Sequence, residues 1–171
     1  MNQGSCYPAA TYAVVGSPND CHNFWASYAP HSGNLQLVAN GAVDSTIAVW
    51  TETVSVSPGT NYGFDAWAAS SYPTSPALLH FTINGVGVGD LLLGSNVGVW
   101  NLFNSNVWNS GLNTLATLAI YDSNTEPSGN DFSIDDISFG PTQVPEPLTL
   151  SLICMGILAV GVLRLRREKA A

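Results

Sequence analysis

Short runs of alternating apolar and polar residues, separated by turn signals, constrain the fold of this chain more than any other feature. In one run, Tyr62 and Phe64 fall on one face while Trp67 falls on the other. Another run ends at Asn84-Gly85, a pair that favours a two-residue hairpin turn. Alternation with a period of two is typical of strands, whose successive side chains point to opposite faces. The pattern therefore predicts a β-rich domain.

These runs and the turn signals between them predict nine strands. No window of the main body combines a sustained helical period with capping signals. We therefore predict an all-β fold, an antiparallel jelly-roll β-sandwich. The approximate strand positions are 11–15, 34–39, 46–56, 61–69, 77–83, 88–93, 98–108, 114–121 and 132–139.

The charged residues are few and unevenly distributed. They make up 9% of the chain, against about 25% in an average soluble protein. Residues 1–147 carry eleven acids and no Lys or Arg, whereas residues 148–171 carry four basic groups and one acid, so −11 and +3 give the net charge of −8. A domain without Lys or Arg does not attract phosphates, which argues against nucleic acid as a partner. Calcium, neutral sugars or a cationic surface fit this charge, and so does a simple requirement for solubility.

The C-terminal region contains sixteen consecutive residues without a charge, 148–163. As a helix they would extend about 24 Å, slightly less than the roughly 30 Å hydrocarbon core of a bilayer. Arg164, Arg166 and Arg167 follow, and their long stems can reach the interface. We predict one C-terminal transmembrane helix over 148–163, with the basic residues 164–171 in the cytoplasm and the main body across the membrane.

A proline-rich motif, Val144-Pro145-Glu146-Pro147, precedes this apolar stretch. Two prolines around a carboxylate enforce an extended segment, which by itself predicts only a stiff spacer. The order of motif, apolar stretch and terminal Arg cluster resembles the PEP-CTERM sorting signal, over the region from Val144 to Ala171.

This resemblance implies recognition by a membrane-embedded exosortase and removal of the tail. The expected location is an inner-membrane-anchored precursor and then the cell surface or extracellular matrix of a Gram-negative, exopolysaccharide-producing bacterium. The catalytic Cys of that reaction belongs to the exosortase, so the resemblance assigns no catalytic residue to this chain.

Export by this route also requires an N-terminal signal. The segment from Met1 to Cys6 has neither a basic start nor a useful apolar run, so we expect a truncated chain or a misassigned start codon, with export through the tail alone as the alternative. Either would leave the first strand of the exported domain incomplete. The predicted organisation is an exported β-sandwich over 1–140, a Pro-rich linker over 141–147, a transmembrane helix over 148–163 and a basic tail over 164–171.

The last predicted strand changes its apolar face half-way along. Phe132 and Ile134 share one parity and Phe139 has the other, with Asp135-Asp136 between them. A β-bulge at the acidic pair would reconcile the two halves. Two adjacent carboxylates beside an irregular backbone are hard oxygen ligands of the kind that calcium prefers. A solvated acidic bulge, or a guard against edge-strand pairing, fits the same residues.

The same strand carries a second resemblance, to galactose-binding-like, carbohydrate-binding-module jelly rolls. The resemblance implies a lectin-like β-sandwich, often with a structural calcium held partly by an Asp of the pair Asp135-Asp136. The first strand usually contributes to that site, and here the first strand is uncertain. The motifs that carry the resemblance are Phe132-x-Ile134-Asp135-Asp136-Ile137-x-Phe139, His31-x-Gly33-Asn34, Asn40-Gly41, Val49-Trp50, Val56-x-Pro58-Gly59-Thr60-x-Tyr62-x-Phe64 and Trp67.

Sugar binding requires exposed aromatic faces with amides or carboxylates close by. The main body has five Trp, most of which we expect in the core. Trp67 lies on the face opposite Tyr62 and Phe64, and Trp100 and Trp108 lie among asparagines. We predict Trp67, Trp100 and Trp108 as ligand-binding candidates, although asparagine-rich loops are also ordinary turns.

Three cysteines are present. Cys6 and Cys21 would form a disulfide in an oxidising compartment, with two unpaired thiols as the alternative. Cys154 lies inside the apolar stretch, where it serves as a small apolar residue.

No catalytic motif stands out. A Gly-x-Ser-x-Gly nucleophile elbow is absent, and His22, His31 and His80 are too scattered for a zinc motif. We therefore predict a noncatalytic surface or matrix protein that binds carbohydrate, such as exopolysaccharide or other surface glycans. The alternatives are a structural or adhesive matrix protein that contacts protein partners, and a divergent glycosidase that uses two of the eleven acids.

Overall fold

The computed structural model describes residues 6–142. This range contains ten strands and one short helix. In chain order they are β1 (Tyr12–Val15), α1 (Pro18–Cys21), β2 (Gln36–Ala39), β3 (Ala48–Ser55), β4 (Asn61–Ser70), β5 (Leu78–Ile83), β6 (Val86–Leu92), β7 (Asn101–Asn104), β8 (Trp108–Asn109), β9 (Leu115–Asp122) and β10 (Phe132–Pro141).

The strands form two sheets. Sheet A has the order β1-β2-β10-β4-β7, with β8 also paired to β4, and sheet B has the order β3-β9-β5-β6. Every pairing is antiparallel. The predicted all-β sandwich of two sheets is confirmed, and β10 lies in the middle of sheet A between β2 and β4.

Two local features differ from the sequence prediction. The strand predicted over 98–108 is divided into β7 and β8, because the Asn106 N–H leaves sheet A and donates to the Val88 carbonyl at 2.8 Å. The single-turn helix α1, which begins at Pro18, was not predicted, because four residues are too few to show a helical period.

The predicted transmembrane span 148–163 lies outside the described residues. Within residues 6–142, no helix has the length and apolar character needed to cross a membrane.

The main core fills the space between the two sheets. Its centre is a group of phenylalanines: Phe64 and Phe81 meet edge to face with ring centroids 5.4 Å apart, and Phe81 stacks on Phe103. Phe132, at the start of β10, is also fully buried. Burying each such side chain contributes about 1.5–3 kcal/mol, so these four rings anchor both sheets.

A second, smaller core lies on the outer face of sheet A. On β2, Leu37 and Ala39 face the main core, whereas Val38 packs with Trp25 and the Cys6–Cys21 disulfide. The two cysteine Cα atoms are 5.4 Å apart, within the usual range for a disulfide. The N-terminal segment therefore covers one part of the outer face of sheet A.

Candidate functional site

A β-bulge in β10 organises the uncovered part of this outer face. Asp135 pairs with Trp67 of β4, and the next paired residue, Ser138, lies opposite Asp65. One residue of β4, Ala66, thus faces two of β10, Asp136 and Ile137, and Asp136 takes up the bend with a positive φ of 47°. The bulge predicted from the change of apolar face is confirmed.

The bulge turns Asp136 towards the loop that leads into β2. His31 Nδ1 lies 2.6 Å from Asp136 Oδ2, and the Ser32 hydroxyl donates to Asp136 Oδ1 at 2.5 Å. The Ser32 backbone N–H donates to Asp135 Oδ2 at 3.1 Å. The hydrogen bonds from His31 and then from Ser32 lower the pKa of Asp136 from its usual value, so this carboxylate is ionised at neutral pH.

Three aromatic rings pack beside the two carboxylates. His31 stacks on Trp67 with ring centroids 4.0 Å apart and 16° between the planes. Trp100 stands edge-on to His31 at 5.7 Å. We call His31, Trp67, Trp100, Asp135 and Asp136 the outer-face cluster, and its side chains are only partly buried.

The structure brings together four residues that the sequence predicted separately as site candidates: Trp67, Trp100, Asp135 and Asp136. It does not bring Trp108 to them, because Trp108 on β8 packs against Tyr62 and the main core. The sorting-signal residues Val144, Pro145, Glu146, Pro147, Arg164, Arg166 and Arg167 lie outside the described residues.

His31 and Ser32 both contact Asp136, although sequence analysis gave neither a role in binding. They lie more than 100 positions before Asp136 in the chain. Local periodicity cannot predict a contact between residues so far apart in the chain. The only sequence signal in the loop of His31 is the motif His31-x-Gly33-Asn34, which belongs to the carbohydrate-binding-module resemblance.

The donor set around Asp135 and Asp136 is small for calcium. Within residues 6–142, no group of three or more His, Cys, Asp or Glu is placed to hold a metal ion. Both oxygens of each carboxylate already accept hydrogen bonds from His31, Ser32 or the Asp136 N–H. Calcium takes six to eight oxygen ligands, so these residues do not form a calcium cage by themselves. Calcium at this position stays a prediction, and the proposal below does not depend on it.

Comparison with known proteins places the fold among carbohydrate-binding modules. The sequence matches no family profile and no curated protein. The xylan-binding domain CBM22-1 of Xyn10C from Paenibacillus barcinonensis is similar in structure, with 12% identity, a TM-score of 0.52 and coverage of 83% of this chain and 94% of that one. The EclA C-terminal domain, described as a sugar-binding protein, gives 13% identity, a TM-score of 0.50 and coverage of 78% and 79%.

A third similar structure belongs to a larger enzyme. It is the CBM22-1 and GH10 part of xylanase 10B from Clostridium thermocellum, complexed with xylohexaose, with 11% identity and a TM-score of 0.55. The match covers 78% of this chain and 25% of the other. At these identities the comparisons establish a carbohydrate-binding-module-like β-sandwich as the fold.

The contact between His31 and Asp136 gives a first testable prediction. His31→Ala should raise the pKa of the Asp136 carboxyl part of the way towards its usual value of 3.8, because the Ser32 hydrogen bond remains. A lowered folded-state pKa gives stability that is present above the unfolded value and lost as pH falls through the folded value. The variant should therefore lose less stability than the wild type as pH falls below about 4.

The measurement is an NMR titration of the Asp136 carboxyl carbon, together with denaturant unfolding at several pH values. His80→Ala is the matched control, because His80 forms a similar contact of 2.6 Å with Asp90 on sheet B. An Asp136 carboxyl that titrates identically in the wild type and in His31→Ala would contradict the prediction.

Proposed function

We propose that this protein binds carbohydrate without transforming it, at the outer-face cluster. The observation that carries the proposal is the placement of Trp67, His31 and Trp100 against two carboxylates on an open part of sheet A. Apolar C–H patches of a sugar stack on aromatic rings, and carboxylates accept the hydrogen bonds of its hydroxyl groups.

The carboxylates of the cluster retain capacity for a ligand. An ionised carboxylate offers about four acceptor positions. Each oxygen of Asp135 and Asp136 accepts one hydrogen bond from the protein, so half of these positions remain. The Asp136 side chain is 37% exposed, which leaves room for hydroxyl groups to approach.

The charge of the chain narrows the class of glycan. Residues 1–147 contain no Lys or Arg to neutralise a uronate or sulfate group. An anionic polysaccharide would meet like charge at Asp135 and Asp136, which costs affinity. A neutral polysaccharide avoids this cost, and the Paenibacillus domain is described as binding xylan, whose xylose backbone carries no charge.

A purely binding role fits the ionisation of the cluster. Glycoside hydrolysis usually needs one carboxylic acid with a raised pKa to protonate the leaving group, beside a second carboxylate. In the cluster the pKa of Asp136 is lowered, not raised. Burial raises the pKa of Asp122 to about 6 and of Asp131 to about 7, but neither residue belongs to the cluster.

We further propose that the protein is sorted to the cell surface by an exosortase. The support is the sequence of the C-terminal region, in which Val144-Pro145-Glu146-Pro147 precedes the apolar stretch 148–163 and its Arg cluster. The protein would be an inner-membrane-anchored precursor first and a surface or matrix component after the tail is removed.

The binding proposal predicts that Trp67→Ala and Trp100→Ala each weaken retention on a neutral polysaccharide. The expected loss is roughly three- to tenfold, because each change removes an aromatic surface worth about 0.5–1.5 kcal/mol. The measurement is affinity electrophoresis through xylan and through exopolysaccharide purified from the source bacterium. Tyr12→Ala is the matched control, since Tyr12 is an exposed aromatic residue on the edge strand of the same sheet.

Unchanged retention in both tryptophan variants would contradict the location of the site. If the wild type is not retained on either polysaccharide, the binding proposal itself fails. A structural or adhesive matrix role would then be favoured, with self-association or binding to other surface proteins as its signature.

The sorting proposal predicts a failure of processing when Pro145, Glu146 and Pro147 are all replaced by Ala. The substitution removes the preference for an extended conformation that the two prolines impose, because alanine favours a helix. The expected result in the source bacterium is accumulation of the unprocessed chain in the inner-membrane fraction, measured by immunoblotting of separated membranes. Processing at the wild-type rate would contradict the assignment of these residues as a sorting signal.

A further inference from the structure

A cavity of about 240 Å³ lies beside the second core, away from the outer-face cluster. Its walls include Tyr7, His22, Phe24, Trp25 and Asp131. The cavity shares no residue with the outer-face cluster, so an inference from it does not rest on the proposed function above.

Half of the residues that line the cavity carry an aromatic ring, with His22 included. Trp25 and His22 are buried and stacked with centroids 4.8 Å apart, and they form the floor. Tyr7 packs on His22 at 4.5 Å, and Phe24 lies at 5.7 Å from it. Tyr7 is 62% exposed and Phe24 is 74% exposed, so these two rings form an accessible rim.

The acidic group that lines this cavity is the Asp131 carboxyl, which forms no salt bridge within residues 6–142. Asp131 is only 6% exposed. Burial raises its pKa to about 7, the nearby charge of Asp122 adds to the rise, and hydrogen bonds from the Gly41 backbone and Trp25 oppose it. His22, the closest basic group, has a pKa that burial lowers, so it is largely neutral at pH 7. Lys and Arg are absent from residues 1–147.

These features together describe an amine site. Aromatic faces attract a cation through their electron-rich surfaces, and a desolvated carboxylate strengthens that attraction. The cavity is smaller than the roughly 300–1,000 Å³ typical of drug-sized ligands, so it suits a single ring. The Asn40 amide and the Ser128 hydroxyl also line it and can bind hydroxyl groups.

We propose that this cavity binds one hexosamine unit of a glycan, with its protonated amine on the Asp131 carboxylate and its ring against the aromatic wall. A neutral hexose would gain no ionic attraction from the carboxylate form of Asp131, and a phosphorylated or sulfated sugar would meet like charge from the carboxylate forms of Asp131 and Asp122.

The test is isothermal titration calorimetry of the full chain in detergent with D-glucosamine, D-glucose and N-acetyl-D-glucosamine. At pH 7, D-glucosamine should bind at least about fivefold more tightly than either neutral sugar, because an amine on a carboxylate within an aromatic wall is worth about 1 kcal/mol or more. Methylammonium is the pH probe, since it stays charged over the range. Its affinity should fall towards about pH 5, as the Asp131 carboxyl becomes protonated.

Asp131→Asn should abolish the preference for D-glucosamine. The substitution is isosteric and removes the repulsion with Asp122, so the variant should fold, which thermal unfolding would check. The titratable groups that face Asp131 are Asp122, His22, Tyr7 and Tyr72, and all remain in this variant. Phe24→Ala, at the exposed rim, should weaken D-glucosamine several-fold without disturbing the fold.

Tyr12→Ala is the control, because Tyr12 is exposed and does not line the cavity, and this variant should leave D-glucosamine binding unchanged. Equal affinity for D-glucose and D-glucosamine would overturn the proposal, as would an undiminished amine preference in Asp131→Asn. If the wild-type chain does not bind D-glucosamine but is retained on polysaccharide, the cavity proposal fails and the outer-face proposal stands. If it binds D-glucosamine but is not retained on polysaccharide, the outer-face proposal fails and the cavity proposal stands.

Discussion

The β-bulge at Asp135 and Asp136 is the constraint on which the rest of the outer face depends. The central strand β10 must keep an apolar row against the main core along its whole length. One extra residue lets Ile134 before the bulge and Phe139 after it both face inwards. The same extra residue turns a carboxylate outwards to His31, so the packing requirement of the core and the chemistry of the surface have one structural origin.

The N-terminal segment supplies the other half of the arrangement. The Gln36 side-chain amide donates to the carbonyls of Gly16 and Tyr28, each at 3.2 Å, and so ties this segment to sheet A. The Tyr28 hydroxyl also lies 2.9 Å from the Ser133 hydroxyl of β10. These contacts fix the position of the chain immediately before His31. The loop that carries His31 therefore reaches Trp67 and Asp136 without a regular element of its own.

Local sequence patterns predicted much of the fold and part of the cluster. Alternation located the strands and placed Trp67 on the outer face, and the change of parity in β10 predicted the bulge at Asp135-Asp136. Alternation could not predict the contact of His31 with Asp136, because this contact depends on the pairing of β2 with β10. Trp108 resembled Trp100 in its asparagine-rich surroundings, yet it belongs to a different strand and packs on the core. The cavity at Asp131 was missed for the same reason as His31, since its walls come from distant parts of the chain.

The central claim is that a neutral glycan contacts the outer-face cluster. The test is an NMR titration of the full chain in detergent with a soluble oligosaccharide prepared from the retained polysaccharide. Binding is monitored through the indole N–H signals of the five tryptophans. Three of the tryptophans lie outside the outer-face cluster: Trp25 lines the cavity beside Asp131, Trp50 lies on sheet B, and Trp108 lies at the far end of sheet A. The signals of Trp67 and Trp100 should shift on addition of the oligosaccharide, while those of the other three tryptophans should stay in place. A shift confined to Trp50 or Trp108 would contradict it.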